Sequence, residues 1–159
     1  MKNILAKIWR KLNLPKNFQL SIMRAKEDQF LVGVTGVFFN EKKEVLLLHH
    51  TYRQTKWSLP GGYIKGGEHP FESIEREVNE ESGFVVSADS ELKVRTDRQS
   101  ARLDICVIGK FIGGEFKKSA EVDDFGFFTF DNLPKISNNQ LFLINQSKEA
   151  IVNEDKIHI

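Results

Sequence analysis

The sequence predicts an α/β fold in which a mixed β-sheet is layered with helices, preceded by an N-terminal helix. Strand-like apolar segments are interspersed with two helical segments in the larger part of the chain, which is typical of this fold class. The length of 159 residues suits one compact domain with its own core. We therefore expect a basic amphipathic helix within residues 1–16 and one globular domain over residues 17–159.

The N-terminal segment has a helical pattern. Residues 2–13 place apolar side chains at helical spacing and basic side chains around them, and Pro15 ends the pattern. We interpret this helix as docking on its own domain or on a second subunit, so a homodimer is one expectation. Contact with a membrane surface is the less favoured alternative.

Composition excludes several classes of protein. The formal net charge of +1 does not favour binding to nucleic acids. The single cysteine, Cys106, excludes an intrachain disulfide and a cysteine-based zinc site. No apolar run reaches the roughly 20 residues that a transmembrane helix needs. Basic residues interrupt any signal-peptide pattern, so we expect a cytoplasmic location.

Apolar patterns and turn-forming residues predict the elements of the domain. Residues 18–23 are expected to form a short strand, residues 29–40 and 45–53 a hairpin, and residues 54–69 a glycine-dense loop. Further strand-like segments lie at 84–87, 92–96, 101–112 and 123–130, with a turn at 113–114 and a closing helix over 139–153.

A charged helix is predicted over residues 70–82. Pro70 suits the first helical turn, and Gly83 lies where a C-terminal cap belongs. On a helical wheel at about 100° per residue, Ile74 and Val78 form a narrow apolar stripe with Phe71. The helix therefore packs one face on the sheet.

Three carboxylates of this helix share an arc of about 100° beside the apolar stripe: Glu77, Glu80 and Glu81. Like charges at this spacing repel, and carboxylates near a helix C-terminus are disfavoured by its dipole. A solvated surface is the ordinary interpretation of such a helix. The clustering instead favours a divalent cation as the compensating charge, and oxygen ligands suit Mg²⁺, Mn²⁺ or Ca²⁺.

The loop before this helix supplies a second feature. It contains four glycines around Lys65, which let the backbone approach a ligand closely. A glycine-rich loop that leads into a helix also points amide N–H groups towards an anion. Together with the carboxylates, the loop fits a metal-bridged pyrophosphate.

Residues 62–84 resemble the Nudix box of the MutT-like hydrolases, G-x5-E-x7-R-E-U-x-E-E-x-G-U with U apolar. The match begins at Gly62, passes through Glu68 and Arg76, and ends at Phe84. Every fixed position agrees, over 23 of the 159 residues. The resemblance implies an α/β/α sandwich and Mg²⁺-dependent hydrolysis of a pyrophosphate bond in a nucleoside diphosphate linked to another moiety, with Mn²⁺ as an alternative metal.

The resemblance also implies roles for individual residues. The expected metal ligands are Glu77, Glu80, Glu81 and the Gly61 carbonyl. Glu77 or Glu80 is expected to act as the base, with Arg76 orienting the glutamates and Glu68 supporting the loop–helix junction. Relatives often supply one more acid from outside the box, for which Glu121, Asp123 and Asp124 are candidates.

Several assignments stay open at this point. Arg53 and Lys65 could hold phosphate oxygens, although each could be an ordinary surface charge. The segment 95–102 could contact phosphates or form a solvated hairpin loop. The substrate could be any nucleotide-type diphosphate. An alternative function is a catalytically inactive Nudix-fold regulator that binds nucleotides, which has no need of a complete set of metal-binding acids.

Overall fold

A computed structural model describes the backbone of residues 15–97 and 100–157 and the side chains of residues 15–96 and 100–148. The chain divides into two compact units, Met1–Phe30 and Leu31–Ile159. The helix predicted over residues 2–13 lies outside the described residues. The predicted division between residues 16 and 17 stays a prediction.

The described part of the first unit contains helix α1, Lys16–Lys26. The strand predicted over residues 18–23 is therefore wrong. One local feature favours a helix there: Arg24 and Lys26 lie in the last turn, where cations complement the helix dipole. None of the residues of α1 is buried.

The second unit contains a seven-stranded sheet and two helices. The strands are β1 Leu31–Phe39, β2 Val45–His50, β3 Trp57–Ser58, β4 Gly61–Tyr63, β5 Phe84–Asp97, β6 Arg102–Gly114 and β7 Val122–Phe128. The helices are α2 Pro70–Ser82 and α3 Asn138–Ile157. Helix α2 has the predicted bounds, and β3 and β4 lie within the predicted loop.

The sheet is mixed, as predicted. Its main path runs β3-β2-β1-β6-β5, and the short strand β4 pairs with β1 while β7 pairs with β2. Strands β1 and β6 are parallel, and every other described pair is antiparallel. Strand β5 joins two predicted segments into one strand, and Gly113 and Gly114, predicted as a turn, still pair with Val85 and Phe84.

Two hydrophobic cores lie on opposite faces of the sheet. Because side chains alternate along a strand, Val34 and Phe38 of β1 pack with Ile74 and Val78 of α2. Val37 and Phe39 face the other way, into a second core. Leu143 and Ile144 of α3 complete that second core. This arrangement confirms the predicted α/β/α sandwich.

No helix within the described residues is long and apolar enough to cross a membrane.

His50 gives the fold a sensitivity to acid. This side chain is fully buried at the end of β2, and neither ring nitrogen has a hydrogen-bond partner among the described residues. Burial, and then the charges of Arg53 and His49, lowers the pKa of His50 from 6.5 to about 4. Between these values the unfolded chain binds the proton more tightly than the folded chain.

Replacing His50 with Phe should therefore remove a loss of stability on acidification. The contribution of neutral His50 is intact above pH 6.5 and falls as the pH drops towards 4, by about 2 kcal/mol between pH 7 and pH 5. Urea unfolding of the wild type and His50→Phe at both pH values measures the difference. An equal loss of stability in both proteins would contradict the assignment.

Candidate functional site

Helix α2 is fixed at both ends by local hydrogen bonds. His69 precedes the helix as its N-cap: its ring nitrogen accepts from the Phe71 amide, while Glu72 accepts from the His69 amide. At the other end Gly83 has φ 74°, the left-handed conformation that glycine adopts most easily. Histidine thus completes a capping box in which Ser or Thr is the usual first residue.

The three carboxylates of α2 differ in exposure as their positions on the helical wheel predict. Glu81 is nearest to the apolar stripe and is only 8% exposed. The side chains of Glu77 and Glu80 are 17% and 54% exposed. The cluster therefore runs from the core to the surface, along one side of the helix.

Arg76 connects the helix to the preceding loop. Its Nε and Nη2 donate to the two carboxylate oxygens of Glu68 over 2.7 and 3.0 Å, which is a bidentate pair. Its Nη1 donates to Glu77 over 2.8 Å and to Glu80 over 3.0 Å. One cation therefore offsets much of the repulsion within the cluster.

Glu68 is strongly held as a carboxylate. The hydrogen bonds from Arg76, followed by that from the Lys65 amide, lower the pKa of Glu68 to about 2. The hydrogen bond to Glu68, followed by those to Glu77 and Glu80, raises the pKa of Arg76. The junction between the glycine loop and α2 is thus a charged pair at any ordinary pH.

Glu81 is the carboxylate that Arg76 does not reach. Its Oε2 is buried without a hydrogen-bond partner among the described residues. Burial raises the pKa of Glu81 to about 7, and the negative charges of Glu77, Glu121 and Glu80 act in the same direction, against the cation of Arg53. A buried acceptor of this kind is costly unless a donor or a cation binds it.

Strand β4 brings the loop backbone against the helix. Gly62 lies so close to α2 that a Cβ built there would be 2.2 Å from Cδ of Glu77. Gly61, the predicted carbonyl ligand, pairs with Thr35 of β1. The space that the missing side chain leaves at Gly62 is filled by the Glu77 carboxylate.

Most of the predicted site residues line one cleft of about 840 Å³. They are Arg53, Gly61, Lys65, Glu77, Glu80, Glu81 and Glu121. Lys65 Nζ lies 3.6 Å from Glu80, and Arg53 Nη1 donates to the Ser58 hydroxyl over 2.9 Å. Arg76 and Glu68 brace the carboxylates without lining the cleft themselves.

The structure separates the three candidate acids outside the box. Glu121 lines the cleft, where its carboxylate accepts from the Tyr52 hydroxyl over 3.1 Å. Asp123 is bound by His49, which lowers the pKa of Asp123. Asp124 is exposed outside the cleft and accepts from the Phe125 amide.

Sequence reasoning missed a second group of polar residues in the cleft. Arg102 lines it from the start of β6, and Gln140 from the first turn of α3. Asp104 accepts from Arg102 over 3.1 Å and from Arg95 over 2.8 Å. The possible hairpin loop at 95–102 is therefore wrong for its two ends, because both arginines belong to strands. The position of Arg95 directly opposite Asp104 could have been found only by predicting the β5–β6 register.

The NUDIX domain profile matches residues 29–148, which is most of the chain. The chain belongs to the NUDIX domain family. This finding confirms the predicted resemblance and agrees with the position of the box on the β4 loop and α2.

Named relatives act on different nucleotides. The Nudix chain is 32% identical over 112 residues to an ADP-ribose pyrophosphatase of Methanocaldococcus jannaschii, covering 67% of this chain and 66% of the relative. It is 34% identical over 92 residues to the human 8-oxo-dGDP phosphatase NUDT18, covering 57% and 28%. The chain thus spans less than two thirds of the length of these relatives.

A solved structure supports the fold independently. The crystal structure of an ADP-ribose pyrophosphatase from Streptococcus suis matches with a TM-score of 0.64 and 25% sequence identity. The match covers 76% of the Nudix chain and 92% of the other chain.

The carboxylates of α2 have the right chemistry to bind a divalent cation, although they do not form a complete coordination site in this conformation. No three His, Cys, Asp or Glu side chains of the described residues are close enough together to hold a metal ion as they stand. Arg76 draws Glu77 and Glu80 towards itself, while Glu81 presents its unpartnered oxygen. Carboxylate oxygens are the donors that Mg²⁺ and Mn²⁺ prefer.

Replacing Gly62 with Ala should disturb this site without disturbing the fold. The new methyl group would displace the Glu77 carboxylate, whereas nothing lies within 4 Å of a Cβ at Gly66. We expect Mn²⁺ affinity, measured by electron paramagnetic resonance, to fall roughly tenfold to a hundredfold in Gly62→Ala. Gly66→Ala is the matched control in the same loop. Equal Mn²⁺ affinities in the two variants would contradict the prediction.

Proposed function

We propose that this Nudix chain hydrolyses the pyrophosphate bond of a nucleoside diphosphate linked to another moiety. The observation that supports this most strongly is the meeting of Glu77, Glu80 and Glu81 with Glu121 in one cleft, with the buried Glu81 oxygen left unpartnered. The names of the two curated relatives, both of which describe hydrolysis of phosphate linkages, agree with the proposal.

The reaction needs a base and a position for water. A water oxygen forms a bond to one phosphorus, the bridging P–O bond breaks, and its electron pair leaves with the departing phosphate. Glu77 or Glu80 would accept the proton of the water. Arg76, by holding both carboxylates, would fix the angle from which either one acts.

Cationic side chains would complement the phosphates. Arg53 lines the cleft from just before the glycine-dense segment and Lys65 from within it, and Lys65 already lies near Glu80. A guanidinium group can bind two phosphate oxygens at once, whereas an ammonium group acts as a point charge. Both would help to position the diphosphate for attack.

Glu77, Glu80, Glu81 and the Gly61 carbonyl would hold the metal, which we propose to be Mg²⁺, with Mn²⁺ as the alternative. Bound there, the ion supplies neutralisation of the diphosphate charge and acidification of water. Glu68 would act only by bracing Arg76.

A second function in the same fold, a catalytically inactive nucleotide-binding regulator, is less well supported. Loss of catalysis would leave no reason to keep a buried carboxylate whose ionisation is unfavourable, yet Glu81 is present. We therefore prefer the hydrolase. The homodimer, the cytoplasmic location and the catalytic domain over residues 17–159 remain predictions.

A product screen tests the hydrolase. The protein is incubated with Mg²⁺ and a panel of diphosphate compounds that includes ADP-ribose and 8-oxo-dGDP, beside Glu81→Gln and the control Glu75→Gln on the same helix. We expect paired products of P–O–P cleavage, and a loss of roughly a hundredfold or more in Glu81→Gln alone, because a displaced metal misplaces the reactants. Equal turnover in all three proteins would remove Glu81 from the site, and tight binding without turnover would favour the regulator.

The acid outside the box is tested by a matched pair. Glu121→Gln should lower kcat/KM roughly tenfold or more, because Glu121 shares the cleft with the box carboxylates. Asp124→Asn removes a carboxylate three residues away that lies outside the cleft, and it should change kcat/KM by less than about twofold. The reverse order of effects would assign the role to Asp124.

A further inference from the structure

One side of the cleft carries a group of side chains that the proposed hydrolysis does not use. Arg102, Tyr63, Gln140 and Thr35 line it, and Asp104 lies behind them on β6. Thr35 and Tyr63 are on the sheet face opposite to α2, because each follows a residue that faces α2 and neighbouring residues of a strand face opposite sides. Tyr63 therefore projects away from the carboxylates, one residue after the glycine that contacts Glu77.

Arg102 is held in a fixed position by three contacts. Its Nη2 donates to Asp104 over 3.1 Å, and its guanidinium carbon lies 5.1 Å from the centre of the Tyr63 ring. Its side chain also lies across the backbone of Gly33, where a Cβ would be 2.5 Å from Nη2. Asp104 in turn accepts from Arg95 and from the Thr35 hydroxyl. A planar group anchored in this way presents its remaining N–H donors in a defined direction.

Arg102 and Gln140 can both offer hydrogen-bond donors to a ligand on this side of the cleft. An arginine has five N–H donors and no acceptor. Gln140 uses its carbonyl oxygen to accept from the Leu59 amide over 3.3 Å, which leaves its NH₂ group for the cleft. Tyr63 is 51% exposed, and its ring offers a flat apolar surface beside them. The matching ligand group is planar and has adjacent hydrogen-bond acceptors.

We infer that Arg102, positioned by Asp104 and Tyr63, makes this side of the cleft a base-selective subsite for 6-oxopurine nucleotides, in preference to adenine nucleotides. Guanine and hypoxanthine present two neighbouring acceptors, O6 and N7, which a guanidinium group can bind together. Adenine replaces O6 with an amino group, so one Arg102 donor would face another donor. The inference rests on the proposed function, because it identifies the nucleoside part of that substrate.

The same donors could instead bind a phosphate or a second ribose phosphate of the substrate. Such a contact would depend on charge and would not distinguish one base from another. We favour binding of the base for two reasons. Arg102 lies against the exposed ring of Tyr63, and its charge is offset by Asp104. Arg53 and Lys65 already line the cleft and can bind the phosphates.

Binding of nucleoside α,β-methylene diphosphates, which have no hydrolysable P–O–P bond, tests the inference without turnover. The guanine, hypoxanthine and adenine analogues are titrated by calorimetry in the presence of Mg²⁺. Hypoxanthine and adenine form the critical pair, because they differ only around position 6. We expect the two 6-oxopurine analogues to bind roughly fivefold to 150-fold more tightly than the adenine analogue. Equal or tighter binding of the adenine analogue would overturn the inference.

Two variants test whether Arg102 causes the preference for 6-oxopurine analogues. Arg102→Gln should abolish or reverse it, because an amide donates and accepts and so matches adenine N7 and N6. Arg102→Lys should also lose it, because the charge remains but the planar pair of donors does not. A uniform loss of affinity for all three analogues in Arg102→Gln, restored in Arg102→Lys, would show a phosphate contact and overturn the inference.

Controls separate this inference from folding and from the hydrolase proposal. Lys110→Gln removes an exposed cation from the same strand and should leave the three affinities unchanged. Asp104 keeps Arg95 and Thr35 as partners in either Arg102 variant, so the thermal unfolding midpoint should shift little. The comparison of the three analogues on the wild-type protein does not depend on the folding of any variant. Base-selective binding without any turnover would refute the hydrolase alone, and turnover without base preference would refute the subsite alone.

Discussion

The bidentate pair between Arg76 and Glu68 is the interaction on which the site depends. It joins the glycine loop to helix α2, and the same guanidinium group holds Glu77 and Glu80. Without it, like charges on one side of a helix would separate towards water, and the loop would lose its fixed distance from the helix. The fold supplies the helix with caps and a buried stripe, but this one cation gives the carboxylates their arrangement.

Much of the fold and of the site was predictable because the deciding signals are local. Pro70 and Gly83 mark the two ends of α2, and the structure has the same bounds. The helical wheel also placed Glu77, Glu80 and Glu81 beside the apolar stripe, and their observed order of burial follows the angle of each from that stripe. The box spacing then linked this helix to its family.

One failure was a local ambiguity, and the others came where the deciding contacts are distant in the sequence. Residues 18–23 have a mixed apolar pattern that fits a strand or a helix, and only the hydrogen bonds of the neighbouring turns distinguish the two. Arg102 was left open between a phosphate contact and a solvated loop, and Asp104 received no role within its predicted strand, because the importance of both depends on the pairing of β6 with β1 and β5. Likewise, nothing local separates Glu121 from Asp124: Glu121 lies just before β7 beside Tyr52, whereas Asp124 lies within β7 opposite His49.

The three-residue strand β4 has a consequence for how the family could change its chemistry. Gly62 and Tyr63 share a peptide bond yet serve opposite sides of the sheet. A shift of β4 by a single residue would place the Tyr63 ring against the carboxylates of α2 and would remove it from the opposite face of the sheet. If the inferred subsite is correct, new specificities can arise by exchanging Tyr63 or its neighbours in place, but an insertion or deletion within this strand would destroy both halves of the proposed site together.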